Sequence, residues 1–321
     1  MQFNEIITVV LPTFNSSKYL GTAIQSILNQ SYSKFELIVV NDGSEDDTDK
    51  VIESFHDKRI RYYRIEHSGM GKAINYGLQK ANTKWAALMD SDDIAHPERL
   101  KDELNYKILN FNDIVFPDSV YFAGNRIKFL NTISGDRSKT EEIIKLHGHI
   151  CMSGVIFNKD FILENGGFSE TLRNSEDYDL WMKLFNKANF VHINIPLMFV
   201  RLRENSLSRE NYQRTKSIIY SIKQKYNLSY SGITEGWNEF FYGSRVKARE
   251  VFLKHIIKPS ALTAYIVSLL PEGIFNYIIF NKTIPKIKYS LFKIIFIKKH
   301  LQLQDILKKL QSSGKQGRMF D

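Results

Sequence analysis

Short apolar segments alternate with amphipathic helical segments along the first hundred residues. The first helical segment follows Ser16 and Ser17, which are candidate N-cap residues, and further helices are predicted over residues 48–55 and 71–81. This alternation indicates an α/β domain with a mostly parallel central sheet. The apolar segments predict its first four strands: Ile6–Leu11, Phe35–Val40, Ile60–Ile65 and Trp85–Met89.

Polar residues directly follow three of these predicted strands. Thr13–Asn15 follows the first, Asn41–Ser44 the second and Asp90–Asp93 the fourth. Because ligands bind beyond the carboxyl ends of the strands in open α/β sheets, we expect the three clusters to converge on one crevice. Pro97 is the predicted first residue of the next helix, which runs to about Asn110, and the weaker alternation after residue 111 predicts a mixed extension of the sheet.

Length and composition are those of a folded globular protein. The 321 residues are 43% hydrophobic and 25% charged, and single domains run to about 100 to 200 residues. We predict one domain over residues 1–210, with halves that meet near residue 100, and an extension over 211–321. Cys151 is the one cysteine, and the N-terminus lacks the basic start and apolar run of a secretory signal, so we expect a cytoplasmic location.

Positive charge is concentrated in the extension. Residues 211–321 hold 19 Lys and Arg against 6 Asp and Glu, a net charge of +13, whereas residues 1–210 carry a net charge of −4. An evenly basic chain would indicate a nucleic-acid-binding protein, but an acidic body with a basic, apolar extension favours an anionic membrane surface as the partner. The alternative is that the extension forms a helical cap on the first domain.

The apolar part of the extension is too interrupted to span a bilayer. Pro271–Gly273 divides the apolar residues 261–280, and a spanning helix needs about 20 continuous apolar residues. The two stretches predict an interfacial or buried helical hairpin, and the apolar spacing within Leu303–Leu310 predicts an amphipathic helix beyond it. We therefore expect a peripheral protein on the inner face of the cell membrane.

Three carboxylates lie within the four residues Asp90-Ser91-Asp92-Asp93, at the end of a strand predicted to be buried. Their mutual repulsion favours a bound hard cation such as Mg²⁺ or Mn²⁺, which takes oxygen ligands and often bridges carboxylates to substrate phosphates. The alternative is a solvated acidic loop that caps the following helix. The tetrad taken alone leaves both interpretations open.

Four motifs occur in order along the chain: Val9–Asn15 (VVLPTFN), Val39–Ser44 (VVNDGS), Met89–Asp93 (MDSDD) and Ser175–Trp181 (SEDYDLW). Their order and spacing closely resemble those of family-2 glycosyltransferases with the GT-A (nucleotide-diphospho-sugar transferase) fold, including bacterial polysaccharide and O-antigen enzymes. The resemblance covers roughly residues 5–210. It implies a metal-dependent, inverting transfer of sugar, with a nucleotide-binding half over residues 1–100 and an acceptor half over 101–210.

The resemblance implies a nucleotide pocket lined by Pro12, Thr13 and Asn15. Asp42 would accept an N–H group of the base; its alternative role is that of a turn former in Asp-Gly. Lys72 follows a Gly-rich turn at the start of a predicted helix and would approach the phosphates together with exposed backbone amides. A lysine at such a position is commonly just solvated.

Within the acidic tetrad, the resemblance implies three different roles. Asp90 would face the ribose, Ser91 would line the same nucleotide-sugar site, and Asp92 would hold the Mn²⁺ or Mg²⁺ cofactor. None of these three residues would be the catalytic base.

On the acceptor side, the resemblance implies that Asp177 is the general base, which takes a proton from the acceptor hydroxyl as that oxygen attacks the anomeric carbon. Glu176 and Gly167 would lie beside the acceptor. The alternative is that the two acids complement a helix dipole and that Gly167 serves a tight turn.

Arg201 and Arg203 belong to a segment that resembles the closing segment of the family, in which a histidine usually stands where this chain has Arg203. A guanidinium cannot ligate a cation, but it binds diphosphate in a bidentate fashion. We expect Arg201 or Arg203 to close over the donor diphosphate. The replacement of the histidine leaves open how strictly the metal is required.

Other functional classes fit fewer of these features. A glycoside hydrolase would use paired carboxylates but would leave Asp42 without a role, and a sugar nucleotidyltransferase would need a Gly-rich phosphate loop after the first strand. A membrane-attached nucleotide-sugar-binding protein without turnover stays open. The resemblance suggests a UDP-hexose or UDP-N-acetylhexosamine donor and a glycan or undecaprenyl-diphosphate-linked acceptor, and it leaves the oligomeric state open.

Deleting residues 261–321 should lower the fraction of the protein that binds vesicles containing anionic lipid. Each Lys near such a surface contributes about 1 kcal/mol to binding. Sedimentation with liposomes, with uncharged liposomes as the control, measures this fraction. Equal sedimentation of the truncated and full-length chains would contradict the membrane role of the extension.

Overall fold

The computed structural model describes residues 4–106, 109–124, 126–131, 137–147, 150–203, 212–230, 232–256, 265 and 268–269. These residues contain nine β-strands, numbered here in chain order: β1 Ile7–Thr13, β2 Phe35–Asn41, β3 Ile60–Arg64, β4 Trp85–Leu88, β5 Ile94–Ala95, β6 Asp113–Ala123, β7 Arg126–Asn131, β8 Ile156–Asn158 and β9 Asn189–Arg201.

Helices alternate with the strands and then dominate the C-terminal part of the described chain. A short 3₁₀ helix, Met152–Gly154, precedes β8. The α-helices are α1 Ser17–Leu28, α2 Thr48–Glu53, α3 Met70–Lys80, α4 Arg99–Asn105, α5 Arg137–His147, α6 Lys159–Glu164, α7 Glu176–Leu184, α8 Tyr212–Lys225, α9 Ile233–Tyr242 and α10 Arg245–Lys254.

β1 lies inside the parallel part of the sheet. It pairs in parallel with β2 on one side and with β4 on the other, and β3 continues in parallel beyond β2. Every residue of β1 is buried, as expected for a parallel strand covered on both faces. The nine strands form one sheet, in the order β3-β2-β1-β4-β8-β6-β9-β5 with β7 paired to β6. The predicted α/β fold with a mostly parallel central sheet is confirmed.

The other half of the sheet contains antiparallel pairs. β8 is antiparallel both to β4 and to β6, so β6 runs in the same direction as β4. The carboxyl ends of β4 and β6 therefore point to the same edge of the sheet. The two apolar runs expected as separate segments at residues 114–116 and 120–122 are parts of the single strand β6.

The sheet has a hydrophobic cluster on each face. Val9 and Leu11 belong to the cluster that includes the buried side chains of α1, whereas Val10 belongs to the cluster that includes Ile74 of α3 and Trp181 of α7. Successive side chains of a strand point to opposite faces, so β1 is anchored on both sides at once. This packing holds the strand ends, where the polar motifs lie, in one register.

The helix predicted from Pro97 to about Asn110 is wrong at both ends, because α4 begins at Arg99 and ends at Asn105. Pro97 lies before the helix, where its carbonyl oxygen accepts a hydrogen bond from the Ser31 amide at 2.9 Å. The preceding residues form β5, which pairs with β9. These contacts with residues distant in sequence place the start of the helix after Pro97. The periodicity of neighbouring residues does not indicate such contacts.

Capping of α1 also depends on a distant residue. Ser16 stands at the N-cap position, but its hydroxyl donates to the Phe14 carbonyl oxygen at 3.1 Å. The amide of Ser17 donates instead to Asp46 Oδ2 at 3.0 Å. The loop after β2 therefore caps the helix that follows β1, and this contact ties two of the polar clusters together.

The chain divides into two compact units. The first comprises residues 1–121 and 130–228, and the second comprises residues 122–129 and 229–321. In the second unit, α9 packs on α10 through the aromatic rings of Trp237, Phe240 and Phe252. In the first unit, α8 packs on α7, although the sequence analysis assigned residues 211–225 to the extension.

Most of the predicted membrane-associating segment lies outside the described residues. This holds for residues 261–280 apart from 265, 268 and 269, and for all of residues 303–310. Within the described ranges, the helices are each too short or too polar to cross a bilayer.

A buried ion pair supports the carboxyl end of β4. Arg99 and Glu103 are both fully buried, and Arg99 Nε lies 3.2 Å from each carboxylate oxygen of Glu103. Arg99 Nη2 also donates to the carbonyl oxygen of Leu88, the last residue of β4, at 2.9 Å. Burial raises the pKa of Glu103 to about 7, and the adjacent guanidinium opposes this shift. Arg99 therefore compensates the negative charge of Glu103 and also binds the backbone of the strand that leads into Asp90.

Replacing Arg99 by Met should lower the free energy of unfolding by about 3 to 5 kcal/mol, because it leaves the Glu103 carboxyl buried without its partner. Urea denaturation followed by circular dichroism measures the change. The control is the double variant Arg99→Met with Glu103→Leu, which should recover much of the loss because both polar groups are gone. A double variant as unstable as Arg99→Met would show that the ion pair is not the cause.

Candidate active site

The three polar clusters meet at the carboxyl edge of β2, β1 and β4. The amide of Asp42 donates to the Thr13 carbonyl oxygen at 2.9 Å, and the amide of Asn15 donates to Ser44 Oγ at 2.9 Å. The Ser91 hydroxyl donates to Ser16 Oγ at 2.9 Å, which joins the third cluster to the first. Contacts between the clusters thus build one continuous polar edge.

Asp42 is buried and holds the turn before α3. Its Oδ1 accepts from the Ser68 amide at 2.8 Å, and its Oδ2 accepts from the Gly69 amide at 2.9 Å. His67 Nδ1 lies 2.9 Å from the same Oδ2, and the His67 ring stacks on Phe14 at 4.1 Å between centroids. The amide of Gly69, which belongs to the Gly-rich turn expected to offer exposed amides to phosphate, is therefore engaged by this carboxylate.

The residues expected to line the nucleotide pocket lie at this edge in different surroundings. Pro12 and Thr13 are the last two residues of β1 and are buried, and no hydrogen bond to Thr13 Oγ1 is found within the described chain. Asn15 adopts a left-handed backbone with φ of 46°, and its Oδ1 accepts from the Glu45 amide at 2.8 Å. Lys72 is exposed in the first turn of α3.

Two arginines from the end of β9 hold the acidic tetrad. The amide of Arg201 donates to Asp93 Oδ1 at 2.9 Å, and Arg201 Nε donates to the Asp92 carbonyl oxygen at 3.0 Å. Arg203 Nε lies 2.7 Å from Asp92 Oδ2 in an ion pair. Both guanidinium groups lie near the Tyr19 ring, at 4.6 Å for Arg201 and 5.9 Å for Arg203.

Glu176 and Asp177 begin α7, and Ser175 before them has a left-handed backbone with φ of 65°. Asp177 Oδ1 accepts from the amide of Tyr178 at 2.7 Å. The next acid in this turn, Asp179, has a different task, since it pairs with Lys225 of α8 at 2.9 Å. Asp179 is therefore engaged by α8, whereas Asp177 accepts a hydrogen bond within its own turn of α7.

The acids of the tetrad and of α7 share one electrostatic environment. Burial, together with the charges of Asp92, Asp177 and Glu176, raises the pKa of Asp90 to about 8, and Arg203 opposes the shift. Burial and the charge of Asp177 raise the pKa of Glu176 to about 7, and burial raises the pKa of Asp177 above its ordinary value. This mutual influence places the strand-end acids and the α7 acids in one cluster.

Gly167 lies in a turn fixed by α3. Its backbone φ of 59° is left-handed, and a Cβ at this position would approach Asn75 Oδ1 to 2.6 Å. Asn75 accepts from the Phe168 amide at 2.9 Å and donates to the Phe168 carbonyl oxygen at 2.9 Å. The absence of a side chain at Gly167 thus allows α3 to bind this turn closely.

Three residues of the site escaped the sequence analysis. Tyr19 lies beside both arginines, and the Ser153 hydroxyl accepts from the Asp90 amide at 2.9 Å. Burial raises the pKa of Tyr121 well above its usual range, with Cys151, Asp93, Asp177 and Asp90 adding to the shift. The position of Tyr121 near the carboxyl end of β6 follows the same strand-end rule as the tetrad. Tyr19 and Ser153 carry no comparable sequence feature.

The donor set suits a divalent cation bound together with a diphosphate. Asp90 Oδ1 is buried and has no hydrogen-bond partner in the described part of the chain. Among the described residues, no group of three His, Cys, Asp or Glu side chains could hold a metal ion by itself. Asp90 and Asp92 nevertheless offer hard oxygen ligands, and Mg²⁺ is commonly held by one or two carboxylates with substrate phosphates and water.

Two curated relatives share part of their sequence with this chain. An uncharacterized glycosyltransferase of Rickettsia bellii is 31% identical over 65% of this chain and 31% of its own length. The O-antigen biosynthesis glycosyltransferase WbnJ of Escherichia coli is 27% identical over 68% of this chain and 89% of its own length. The chain spans about a third of the length of the first three curated relatives, all of them from Rickettsia.

Two solved structures share the fold. TarS residues 1–349 of S. aureus, in complex with UDP-GlcNAc, is 22% identical, covers 85% of this chain and 81% of its own, and has a TM-score of 0.55. The mannosyltransferase PcManGT of Pyrobaculum calidifontis, in complex with GDP-Man and Mn²⁺, is 14% identical, covers 97% and 87%, and has a TM-score of 0.54.

Residues 8–165 match the family described as Glycosyl transferase family 2. This segment runs from β1 to the turn after α6 and includes the strand-end clusters described above. By this match, and by its similarity to proteins named as glycosyltransferases, the chain belongs to glycosyltransferase family 2.

Proposed function

We propose that the protein is an inverting glycosyltransferase that moves a sugar from a nucleotide sugar to a hydroxyl group of its acceptor. The observation that carries the proposal is the single carboxylate cluster, in which Glu176 and Asp177 of α7 lie close enough to raise the pKa of Asp90. A transferase needs a donor site and a proton acceptor side by side, and this cluster supplies acids from two parts of the chain at one edge.

The donor that we propose is a UDP-hexose or a UDP-N-acetylhexosamine. The family supports a nucleotide sugar, and a structure of the same fold binds UDP-GlcNAc. Asp42, Thr13 and Asn15 would form the nucleotide pocket, with Pro12 in its wall. The stacked pair of Phe14 and His67 lies at the same place and would offer the base an aromatic surface.

Asp177 is the proposed general base. Its burial raises the pKa of its carboxyl above that of an exposed aspartate, so the ionised group takes up a proton more readily. The acceptor oxygen would attack the anomeric carbon from the face opposite the diphosphate, and its proton would pass to Asp177. Displacement from that face inverts the configuration. Glu176 and the turn at Gly167 would border the acceptor hydroxyl.

Negative charge that develops on the departing diphosphate would be stabilised by Arg201 and Arg203. Both guanidinium groups lie at the tetrad, and Arg201 is fixed there by its bonds to Asp93 and to the Asp92 backbone. Asp92 and Asp90 would hold a Mn²⁺ or Mg²⁺ ion, which supplies Lewis-acid stabilisation of the leaving group when bound. Ser91 would support the same region, and Lys72 would reach the phosphates from α3.

The acceptor that we propose is a glycan or an undecaprenyl-diphosphate-linked sugar in the synthesis of a cell-surface polysaccharide. Similarity to an O-antigen biosynthesis glycosyltransferase supports this class. A lipid-linked acceptor would lie at the membrane, and the net charge of +13 over residues 211–321 would hold the protein at the inner, anionic surface.

Replacing Asp177 by Asn should reduce sugar transfer by about a hundredfold to ten-thousandfold, the usual effect of losing a general base. Release of UDP from a panel of UDP-sugars, incubated with an extract of lipid-linked oligosaccharides, measures the rate. UDP binding should persist. A thermal-shift assay detects it, because a ligand at 100 times its Kd stabilises a protein by about 2.7 kcal/mol.

The matched control is Asp160→Asn. Asp160 is an exposed aspartate in the first turn of α6, so it tests whether an acid near a helix N-terminus is enough to explain the effect. This variant should transfer sugar at the wild-type rate. Wild-type transfer by Asp177→Asn, with UDP binding intact, would assign the base to another residue.

The value of kcat/KM should rise with pH through a range that lies above the one in which exposed carboxyls ionise. The base acts in its ionised form, and burial raises both the pKa of Asp177 and the pKa of Glu176, the latter to about 7. The initial rate of UDP release between pH 4 and 9 measures the profile, with coupling-enzyme controls at each pH. A plateau already reached near pH 4 would contradict the role of this buried pair.

A further inference from the structure

The Asp92 carboxylate already has a positively charged partner from the chain itself. Arg203 Nε lies 2.7 Å from Asp92 Oδ2, and the two side chains are 35% and 15% exposed. No aligned hydrogen bond from this nitrogen is found in the described part of the chain, so the pair rests on charge more than on direction. A contact of this kind exchanges partners more easily than a bidentate one.

The two arginines at the tetrad are held differently. Arg201 is fixed by its backbone bond to Asp93 and by its Nε bond to the Asp92 carbonyl oxygen. Its guanidinium lies 4.6 Å from the Tyr19 ring centroid, whereas that of Arg203 lies at 5.9 Å. Arg201 is therefore part of the frame of the site, whereas Arg203 contacts the Asp92 carboxylate through its guanidinium.

Asp90 is the second carboxylate expected to hold the cation. Asp90 Oδ1 is buried and accepts no hydrogen bond from the described residues. A carboxylate oxygen in this state is costly unless a cation approaches it. The edge therefore presents one carboxylate paired with a guanidinium beside another that is ready for a cation.

We propose that Arg203 is a resident counter-ion that competes with the divalent cation for Asp92 and moves to the diphosphate when the nucleotide binds. This inference rests on the proposed function, because it assumes that the diphosphate and the cation meet at the tetrad. The guanidinium and the cation compete for the same carboxylate, because two positive charges held close together repel one another. A diphosphate offers the planar guanidinium of Arg203 a pair of oxygen acceptors, and this move releases Asp92 to the cation.

Two consequences follow with opposite signs. Without nucleotide, the cation must displace Arg203, so its binding is weakened by this residue. With nucleotide, Arg203 adds a contact to the diphosphate, so nucleotide binding is strengthened by the same residue. A residue that only maintained the fold would weaken both ligands when removed.

The test compares wild-type full-length protein with Arg203→Ala. Without nucleotide, Mn²⁺ should bind the variant about three- to tenfold more tightly, the scale expected for a partly exposed ion pair and the removal of one nearby positive charge. Electron paramagnetic resonance of free Mn²⁺ measures this affinity. At saturating Mn²⁺, UDP should bind the variant about tenfold more weakly, as measured by isothermal titration calorimetry.

Two further variants separate charge from folding. Arg203→Lys keeps the positive charge and should bind Mn²⁺ with nearly wild-type affinity. Arg59→Ala removes an arginine from a comparable ion pair with Asp57, at 2.7 Å and with side chains 26% and 28% exposed, near the start of β3. This control should leave both the Mn²⁺ and the UDP affinity unchanged.

Unchanged or weaker Mn²⁺ binding by Arg203→Ala would overturn the inference while leaving the nucleotide site intact. Failure of Mn²⁺ to bind either protein would also overturn it, and UDP binding to the wild type would then still support the donor site. If the wild type bound neither UDP nor Mn²⁺, the proposed function itself would fail.

Discussion

Carboxylates repel one another most strongly where water is excluded, and this protein gathers five of them at one edge of its sheet. Asp90, Asp92 and Asp93 follow β4, and Glu176 and Asp177 begin α7. Burial raises the pKa of every one of these groups. A folded chain keeps such a cluster only where compensating charges and hydrogen-bond donors surround it.

The compensation comes from distant parts of the first unit. Arg99 supports the end of β4 from inside the core, and the Ser153 hydroxyl accepts a hydrogen bond from the amide of Asp90. Arg201 and Arg203 approach from the end of β9. These groups come from α4, the 3₁₀ helix and the end of β9, so the packing of the sheet and its helices is what makes the cluster tolerable. A local change in any of these elements would alter the charge balance of the whole edge.

The same balance suits the chemistry proposed for the family-2 domain. A site whose acids are under-compensated gains stability when a cation arrives, and a site that also carries two arginines gains again when a diphosphate arrives. Asp177, the proposed base, belongs to the same cluster, and its raised pKa would favour the uptake of a proton. One electrostatic constraint would thus favour both donor binding and the activation of the acceptor.

The sequence by itself determined the alternation of strands and helices, the ends of β1, β2 and β4 as the place of the polar motifs, and the resemblance of four motifs to one family. These features depend on side-chain periodicity and on turn residues, which are local properties of the chain. The bounds of α4 were predicted less well, because Pro97 and the strand before the helix are held by residues far away in sequence.

Only the tertiary structure decided which polar groups face one another. The engagement of Asp42 with two backbone amides, the capping of α1 by Asp46, and the contacts of Tyr19 with Arg201 and of Ser153 with Asp90 all join residues far apart in the sequence. The pairing of Arg203 with Asp92 belongs to the same class. Periodicity records which face a residue occupies, but the partner across the fold is set by the register of the sheet and by the packing of its helices.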